Sequence, residues 1–228
     1  GAMRAWSKAT RRALKVELAI DLSVPILPEP LGEGDVIVLE DVSDPRTTFR
    51  VDLRVRRERI GVIGPNGAGK TTLLEIMLGD RPTVTGSARR VRSRIGAIAQ
   101  GGANFMHDES LVERLTFAGA QDVAQLLVAH KFPLALAERP LASLSPGERA
   151  RAALLSLFAT EGVEVLVLDE PTFSLDLVGQ RAVTDALRAW PGGLVVASHD
   201  REFLGQIGVQ SFLHLGGGTA KQELEIHG

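Results

Sequence analysis

The sequence contains no cysteine and no tyrosine, and aromatic residues make up only 4% of its 228 residues. The absence of cysteine excludes a disulfide scaffold and any metal site built on thiolates. No apolar run approaches the roughly 18 residues that a membrane-spanning helix needs. No secretory signal is recognisable either. We therefore expect a cytoplasmic protein without an integral membrane segment.

The sequence also has little net charge. Its formal net charge is −2 at pH 7, which argues against a uniformly basic nucleic-acid-binding domain. Apolar residues are abundant at 44%, and this is enough to bury a full core, which argues against a disordered chain. The length allows one large domain or two small ones.

The composition divides the chain into segments. Residues 1–3 are interpreted as the remnant of an expression tag, and residues 4–34 as the end of a basic helical linker followed by a proline-rich entrance. A solvated helix and a frayed terminus both remain open for the basic part. The main domain is expected over residues 35–220, with a helical subdomain at about 104–158, and residues 221–228 are expected to form a tail.

Apolar runs of strand length alternate with helix-like segments through the main domain. The runs at residues 60–63 and 163–168 are typical of strands buried on both faces, and residues 148–160 are typical of a strong helix. Strands that alternate with helices predict an α/β fold with a mostly parallel core sheet.

A glycine-rich segment lies between the apolar run at 60–63 and a helix-like run at 72–78, and it matches the phosphate-loop pattern G-x-x-x-x-G-K-[ST] in full. Its glycines allow backbone N–H groups to surround phosphate oxygens. Lys70 would reach the β- and γ-phosphates, and Thr71 would hold Mg²⁺. The candidate nucleotide-binding residues are Gly64, Pro65, Asn66, Gly67, Ala68, Gly69, Lys70, Thr71 and Thr72.

Two acidic residues, Asp169 and Glu170, directly follow the apolar strand that ends at residue 168. The end of a parallel strand would place Asp169 near the phosphate loop, where its carboxylate can hold Mg²⁺. Glu170 could orient or deprotonate an attacking water. Acids at a strand end are common in isolation, but together with the upstream phosphate loop they indicate the second half of one site.

Further motifs complete a pattern. Gln100 ends a strand, residues 144–148 open a helix, residues 174–176 follow the acidic pair, and His199 ends the next strand. The order and spacing of all six motifs resemble the nucleotide-binding domain of ATP-binding cassette (ABC) proteins over residues 35–215.

The resemblance implies an α/β P-loop domain of ABC type, with a mostly parallel core sheet, an antiparallel β subdomain and a small helical subdomain. It implies Mg²⁺-dependent ATP hydrolysis, weak in an isolated domain. The implied catalytic residues are Lys70, Glu170 and His199. The implied ATP ligands beyond the phosphate loop are Gln100, Ser145 and Gly147. The implied Mg²⁺ ligands are Thr71, Gln100 and Asp169.

Ser145 has two possible roles. From the residues alone it is the N-cap of the helix that begins near Pro146, because serine caps helices and proline suits their first turn. In ABC proteins the same element also contacts the ATP held by the opposing domain. The resemblance therefore implies a head-to-tail partnership with a second ABC domain of the same full-length chain.

Details of the motifs resemble the ABC-F subfamily, and within it the C-terminal ABC domain. Glu148 replaces the usual signature glutamine, and residues 198–204 read S-H-D-R-E-F-L. The stretch between Gln100 and the signature is short. ABC-F proteins act on the ribosome, so the resemblance implies a ribosomal RNA partner and a role in translation regulation or in antibiotic resistance by ribosome protection.

Two alternatives stay open at this point. One is the ATPase subunit of an ABC membrane transporter. The other is a module that binds nucleotide without turnover, because Pro146 removes one backbone N–H from the signature. A chromosome-maintenance ATPase is disfavoured, since the chain has no long coiled-coil insertion.

Departures from the family pattern concern the base and the RNA. No aromatic residue stands clearly at the adenine-stacking position, with Phe49 the nearest candidate, so GTP could be accepted beside ATP. Residues 4–15 are the better candidate for contact with RNA phosphates. A second set of candidates for the same role is Arg54, Arg56, Arg57, Arg59, Arg89, Arg90, Arg92 and Arg94.

Overall fold

A computed structural model of the chain describes residues 34–47, 49–83, 85–91, 94–216 and 221–224, the last four by their backbone only. The interpreted tag remnant and the basic linker, up to residue 33, lie outside the described residues. The strands are β1 (Ile37–Ser43), β2 (Arg50–Val55), β3 (Arg59–Ile63), β4 (Thr85–Arg90), β5 (Ile95–Ile98), β6 (Val165–Asp169), β7 (Gly193–Ala197), β8 (Ser211–His214) and β9 (Lys221–Leu224). The helices are α1 (Lys70–Leu78), α2 (Leu111–Phe117), α3 (Val123–Ala129), α4 (Leu134–Ala137), α5 (Pro146–Ala159), α6 (Leu177–Ala189) and α7 (Arg201–Gln206), with 3₁₀ turns at Gln100–Phe105 and Leu141–Ser143.

The core sheet has the strand order β5-β6-β7-β3-β8-β9. Its strands from β5 to β8 are parallel, and β9 pairs antiparallel with β8. A separate antiparallel sheet has the order β2-β1-β4. The predicted α/β fold, with a mostly parallel core sheet and a small antiparallel subdomain, is confirmed.

Strand β6 shows why the central strands of the core sheet are mostly apolar. Val165 and Val167 pack into a cluster with α1 and the antiparallel sheet, whereas Leu166 and Leu168 pack into a second cluster with α5 and α6. Because successive side chains of a strand point to opposite faces, both faces of the sheet are covered. The carboxyl ends of β3, β7 and β6, which are neighbours, therefore meet at one edge of a rigid layer.

The segment predicted as the helical subdomain contains α2, α3, α4 and α5. Ser110 begins α2 with a reciprocal capping box, in which its hydroxyl accepts from the Glu113 amide and its own amide donates to the Glu113 carboxylate. Among the described residues, no helix has both the length and the apolar character to cross a bilayer.

Two strands differ from the sequence interpretation. Strand β4 was not predicted, because its residues TGSARR show no apolar alternation; it forms along the free edge of β1. Residues 221–228, expected as a tail, begin with β9, which pairs through its backbone with β8. In both cases the partner strand, and not the local side chains, determines the extended conformation.

Most of the arginines considered for RNA contact are engaged within the domain. Arg54 pairs with Asp35 at 3.1 Å and with Glu40 at 3.3 Å, and Arg89 also reaches Glu40 at 3.3 Å. The other engaged members are Arg59, which donates to backbone carbonyls at the ends of α6 and α7, Arg90, which donates to the carbonyl of Ile76, and Arg94, which pairs with Glu164. Arg57 is exposed, Arg56 is half-buried, and Arg92 lies outside the described residues. This set is therefore a poor phosphate-binding surface.

Candidate nucleotide-binding site

The phosphate loop connects β3 to α1, and its neighbours permit glycine alone at two positions. Gly69 caps α1 with a φ of 96°, and a Cβ there would lie 2.7 Å from Thr47 Cγ2 and 3.0 Å from the Phe49 ring. A Cβ on Gly64 would lie 2.5 Å from the carbonyl oxygen of Leu215. The loop is thus held from both sides, while its tip at residues 65–67 is exposed.

Lys70 is the first residue of α1, and its side chain folds back over the loop. Its Nζ donates to the carbonyl oxygens of Gly64, at 2.8 Å, and Pro65, at 3.3 Å. The ammonium group and the N-terminus of the nine-residue helix α1 therefore place positive charge at the same point. This is the charge distribution that binds phosphate.

A cleft of about 600 Å³ opens over the loop. It brings together most of the predicted site: residues 66–72 except Ala68, together with Gln100, Asp169 and Glu170. Its other wall is the turn between β1 and β2, which sequence reasoning did not include, and which contributes Asp44, Arg46 and Thr47.

Asp169, the last residue of β6, is buried and lies beside the phosphate loop. Its Oδ2 accepts a hydrogen bond of 2.6 Å from the hydroxyl of Thr71. Burial raises the pKa of Asp169 above its ordinary value, and the negative charge of Glu170 also raises it, whereas the bond from Thr71 and the charge of Lys70 lower it. The carboxylate is therefore a buried acid whose charge the protein only partly compensates.

The donor set at this point fits Mg²⁺. A hydroxyl and a carboxylate oxygen lie 2.6 Å apart, Gln100 lines the same cleft, and oxygen is the ligand that Mg²⁺ prefers. Among the described residues there is no group of three or more His, Cys, Asp or Glu side chains that could hold a metal by itself. Phosphate and water oxygens would therefore supply the remaining ligands.

Glu170 sits next to Asp169 in a strained backbone conformation with a φ of 45°. Its amide donates to the carbonyl of Ala197 at 2.9 Å. Its carboxylate, 14% exposed, accepts from the Ser198 hydroxyl at 3.2 Å and lies 3.1 Å from His199 Nδ1, measured to either oxygen. The His199 ring is 77% exposed, and His199 is not among the described residues that line the cleft.

Ser198 was missed by sequence reasoning. It is buried at the end of β7, and its hydroxyl both donates to Glu170 and accepts from the amide of Asp200 at 3.2 Å. The signal was the residue immediately before His199 in a Ser-His-Asp run.

Phe49, the nearest aromatic candidate for stacking on the base, is 2% exposed and packs behind Gly69. It belongs to the inward-facing set of β2, with Val51, Leu53 and Val55, since alternate residues share a face. Among the described residues that line the cleft, none is aromatic. Phe49 is therefore a wrong candidate for base stacking.

Ser145 and Gly147 lie at the start of α5, outside the cleft over the phosphate loop. The interpretation of Ser145 as an N-cap is confirmed: its hydroxyl accepts from the Glu148 amide at 3.3 Å, and its amide donates to the Glu148 carboxylate at 2.8 Å. Burial acts to raise the pKa of Glu148, but the hydrogen bonds from Ser145 and the positive charges of Arg151 and Arg139 together outweigh it, and the pKa is lowered. Pro146 occupies the first helical position, where the helix itself needs no N–H.

The turn at Ser145 adjoins the segment that follows the acidic pair. A Cβ on Gly147 would lie 3.1 Å from Leu175 Cδ2. Ser174, next to Leu175, has a left-handed φ of 63°. The two motifs, 144–148 and 174–176, therefore form neighbouring parts of one surface.

The sequence model of the ABC transporter family matches residues 49–173, which is more than half of the chain. The chain therefore belongs to the ABC transporter family, and its domain is an ATP-binding ABC ATPase domain.

Three curated relatives give the range of similarity. The ribosome protection protein VmlR of Bacillus subtilis is 36% identical over 96 residues, which cover 42% of this chain and 17% of VmlR. The ATP-binding protein Uup of Caulobacter vibrioides is 38% identical over 104 residues, 46% of this chain and 17% of Uup. Human ATP-binding cassette sub-family F member 3 is 36% identical over 88 residues, 39% of this chain and 12% of that protein. The matched segments thus span less than a fifth of each relative.

Two solved structures share the fold. One is the dimeric post-hydrolysis state of the ATP-binding cassette MJ0796 bound to ADP and phosphate, with a TM-score of 0.64 and 18% identity over 82% of this chain and 98% of that one. The other is a bacterial Atm1-family ABC exporter with ATP bound, with a TM-score of 0.67 and 19% identity over 89% of this chain and 41% of that one.

Proposed function

We propose that this chain hydrolyses ATP with Mg²⁺ as one ABC domain of a ribosome-associated protein of ABC-F type. The observation that supports hydrolysis is the position of Glu170, which lies next to the Thr71–Asp169 pair and is bonded to Ser198. A carboxylate at this edge of the sheet can orient water toward a phosphate held by the adjacent loop.

The binding step follows from the phosphate loop. Its backbone N–H groups, the N-terminus of α1 and the Lys70 ammonium surround the phosphates. Thr71, Asp169 and Gln100 would hold Mg²⁺, which supplies positive charge that offsets the charge on the phosphate oxygens. Positioning and electrostatics of this kind contribute most of the rate in phosphoryl transfer.

The chemical step is an in-line attack of water on the γ-phosphorus, which breaks the bond to the bridging oxygen and releases ADP. Glu170 orients that water and accepts its proton at a carboxylate oxygen. His199 Nδ1 lies 3.1 Å from the same carboxylate, and we assign to His199 the bond to the γ-phosphate that the resemblance implies. Ser198 restricts the rotation of the Glu170 carboxylate through its hydroxyl.

The other half of each site comes from a second ABC domain. Ser145 and Gly147 lie away from the phosphate cleft of their own domain, at a helix start that can bind an anion. In a head-to-tail pair they contact the ATP held by the partner domain. Hydrolysis by the chain alone is therefore weak.

The ribosomal role rests on relatives and motifs. VmlR is described as a ribosome protection protein, and other matched proteins are ABC transporters of the F family. Glu148 in the signature and the run at residues 198–204 support the same subfamily. Translation regulation or antibiotic resistance by ribosome protection, carried out in the cytoplasm, follows as the proposed biological role.

Hydrolysis is tested by phosphate release from Mg-ATP, comparing the wild-type chain with Glu170→Gln and Lys70→Ala. We expect Glu170→Gln to bind ATP but lose at least about a hundredfold in turnover, and Lys70→Ala to lose binding as well. Equal turnover of wild type and Glu170→Gln would contradict the role given to this carboxylate.

The ribosomal role is tested by sedimentation with ribosomes of the same source. The sample is the complete gene product that contains this sequence, with Glu170→Gln and the matching change in any second ABC domain. ATP-dependent pelleting supports the proposal. Pelleting that is absent, or equal with and without ATP, contradicts it.

A transporter subunit is the second candidate, and exposed apolar side chains favour it. Phe117 is 95% exposed at the end of α2, and Met106 is exposed directly after the 3₁₀ turn that begins at Gln100. Contiguous exposed apolar patches mark contact surfaces, and a membrane partner that gripped this region would bury both side chains. Recovery of the complete gene product in the membrane fraction, with no ribosomal pelleting, would favour this candidate.

A further inference from the structure

The side chain of Arg149 joins two motifs that are far apart in sequence. Arg149 lies in α5 and is only 7% exposed. Its Nη1 donates to the carbonyl oxygen of Leu144 at 3.0 Å, and its Nε donates to the carbonyl oxygen of Gly101 at 3.2 Å. A buried guanidinium that donates to two loops at once fixes their separation, since its N–H groups form a rigid planar fork.

The two acceptors adjoin the two parts of the site. Gly101 directly follows Gln100, which lines the cleft over the domain's own phosphate loop. Leu144 directly precedes Ser145, which caps α5 outside that cleft. We call residues 99–104 the Gln100 loop and residues 144–148 the Ser145 turn. Arg149 thus connects the Gln100 loop to the Ser145 turn directly, through one hydrogen bond to each.

The shape of the Gln100 loop makes its tip depend on Arg149. Asn104 closes the base of the loop, because its side chain accepts from the amide of Ala99 and donates to the carbonyl of Ala97, both at 2.9 Å. The tip is made of Gly101 and Gly102, with φ values of 62° and 68°. A Cβ on Gly102 would lie 3.1 Å from Arg149 Cγ, so the tip rests on the arginine stem.

Arg114 provides a contrast in the same region. Its guanidinium lies 4.4 Å from the ring centroid of Phe105, and its Nε donates to the hydroxyl of Ser156 at 2.9 Å. It therefore ties the far end of the 3₁₀ turn to the middle of α5, without a bond to Gly101 or Leu144 in the described structure. Replacing Arg114 removes an arginine's contacts from the same region, but it leaves the hydrogen bonds from Arg149 to Gly101 and Leu144 in place.

We propose that Arg149 is a positioning residue that couples the Gln100 loop to the Ser145 turn, so that nucleotide bound in one site alters the surface offered to the second domain. This inference rests on the proposed ATPase function. The Gln100 loop meets the nucleotide, Arg149 transmits its displacement through Gly101 to Leu144, and the Ser145 turn follows.

Hydrogen exchange read by mass spectrometry tests the coupling on the whole chain, with and without Mg²⁺ and a non-hydrolysable ATP analogue. In the wild type we expect exchange to slow by at least about twofold in peptides of the phosphate loop, the Gln100 loop and the Ser145 turn. In Arg149→Met, which keeps the apolar stem, the first two still respond and the Ser145 turn does not. Arg149→Lys regains part of the response, and Arg114→Met retains all of it.

Each outcome has a distinct meaning. A wild-type phosphate loop that does not respond contradicts nucleotide binding, and with it the inference. A responding phosphate loop with an unchanged wild-type Ser145 turn overturns the coupling alone, as does an Arg149→Met variant whose Ser145 turn still responds. If Arg149→Met fails to fold, Arg149→Lys replaces it, because an ammonium group lacks the planar fork that reaches both carbonyls. A Ser145 response below that of the wild type, with a responding phosphate loop, then supports the coupling, and a full response overturns it.

Kinetics separate this role from a structural one. We expect Arg149→Met to lower kcat about tenfold while the nucleotide dissociation constant stays within about twofold, because binding uses the phosphate loop and turnover uses the coupled pair. Arg114→Met is expected to leave kcat unchanged. Equal losses of kcat in both variants would overturn the specific role of Arg149.

Discussion

Two acidic residues of this domain, Asp169 and Glu148, occupy opposite electrostatic situations. Asp169 is buried at the end of β6 with one hydroxyl donor, and its pKa is raised, mainly by burial. Glu148 closes the capping box of α5, where the amide and hydroxyl of Ser145 satisfy it, and its pKa is lowered despite partial burial. An acid that the protein leaves under-compensated indicates a place for a cation, whereas an acid that the backbone satisfies indicates a structural role.

The largest expected effect comes from neutralising Asp169, the buried acid whose charge the protein only partly compensates. Asp169→Asn should reduce Mg²⁺-dependent hydrolysis by at least about a hundredfold, because a carboxylate ligand is lost. The same variant should raise the Tm of the ligand-free chain by about 3 °C, since the amide oxygen still accepts from Thr71 and no buried charge remains. Phosphate release and thermal unfolding measure the two effects, and a lower Tm would contradict the account of Asp169.

Replacing Glu148, whose carboxylate is hydrogen-bonded in the capping box, should lower the stability of the chain. Glu148→Ala removes half of the capping box and should destabilise the chain by about 1 kcal/mol, or about 3 °C in Tm. Glu148→Gln keeps the bond to the Ser145 amide and should cost less than half as much. Glu148→Gln, which keeps that bond, should hydrolyse ATP within about threefold of the wild type. A Tm for Glu148→Ala that equals the wild-type value would remove the contrast.

The pH dependence of stability distinguishes the two acids by sign. Asp169 has a raised pKa, so its ionisation lowers the free energy of unfolding as pH rises from its ordinary value of 3.8 through the folded-state value. Glu148 has a lowered pKa, so its contribution is full above its ordinary value of 4.5 and is lost as pH falls through the folded-state value.

Thermal unfolding across the acid range checks both signs. At neutral pH, Asp169→Asn should be more stable than the wild type and Glu148→Gln less stable, and both differences should shrink toward zero in strong acid. If the stability difference between either variant and the wild type widened on acidification, the pKa of that acid would be shifted in the opposite direction.

The smallest expected effect concerns the base. Phe49 is buried behind Gly69, and none of the described residues that line the cleft is aromatic, so selection rests on the phosphate end. We expect kcat/KM for GTP to lie within about threefold of that for ATP. A preference above about thirtyfold would require a base-reading group that this cleft does not show among its described residues.

Local patterns predicted the parts of the molecule that local forces determine. The phosphate loop, the apolar run of β6 and the cap at Ser145 each follow from neighbouring residues, and each is found as expected. The inward direction of Phe49 was also available, because it shares the parity of Val51 in β2.

Contacts between distant residues were not available from the sequence. Strand β4 is polar and owes its conformation to β1. Arg94 and Glu164 are separated by seventy positions, and only the fold reveals that they pair. The bond from Ser198 to Glu170 likewise joins the ends of β7 and β6. Roles that depend on such pairs, including the coupling by Arg149, require the three-dimensional arrangement.

The capping box at Ser145 also has an entropic consequence. Its two reciprocal hydrogen bonds hold the backbone of residues 145–148 in one conformation before any partner arrives. Association with a second domain would then immobilise few additional rotatable bonds at this surface. Under the proposed pairing, the lifetime of the pair would depend on the nucleotide between the domains and little on the ordering of the turn itself.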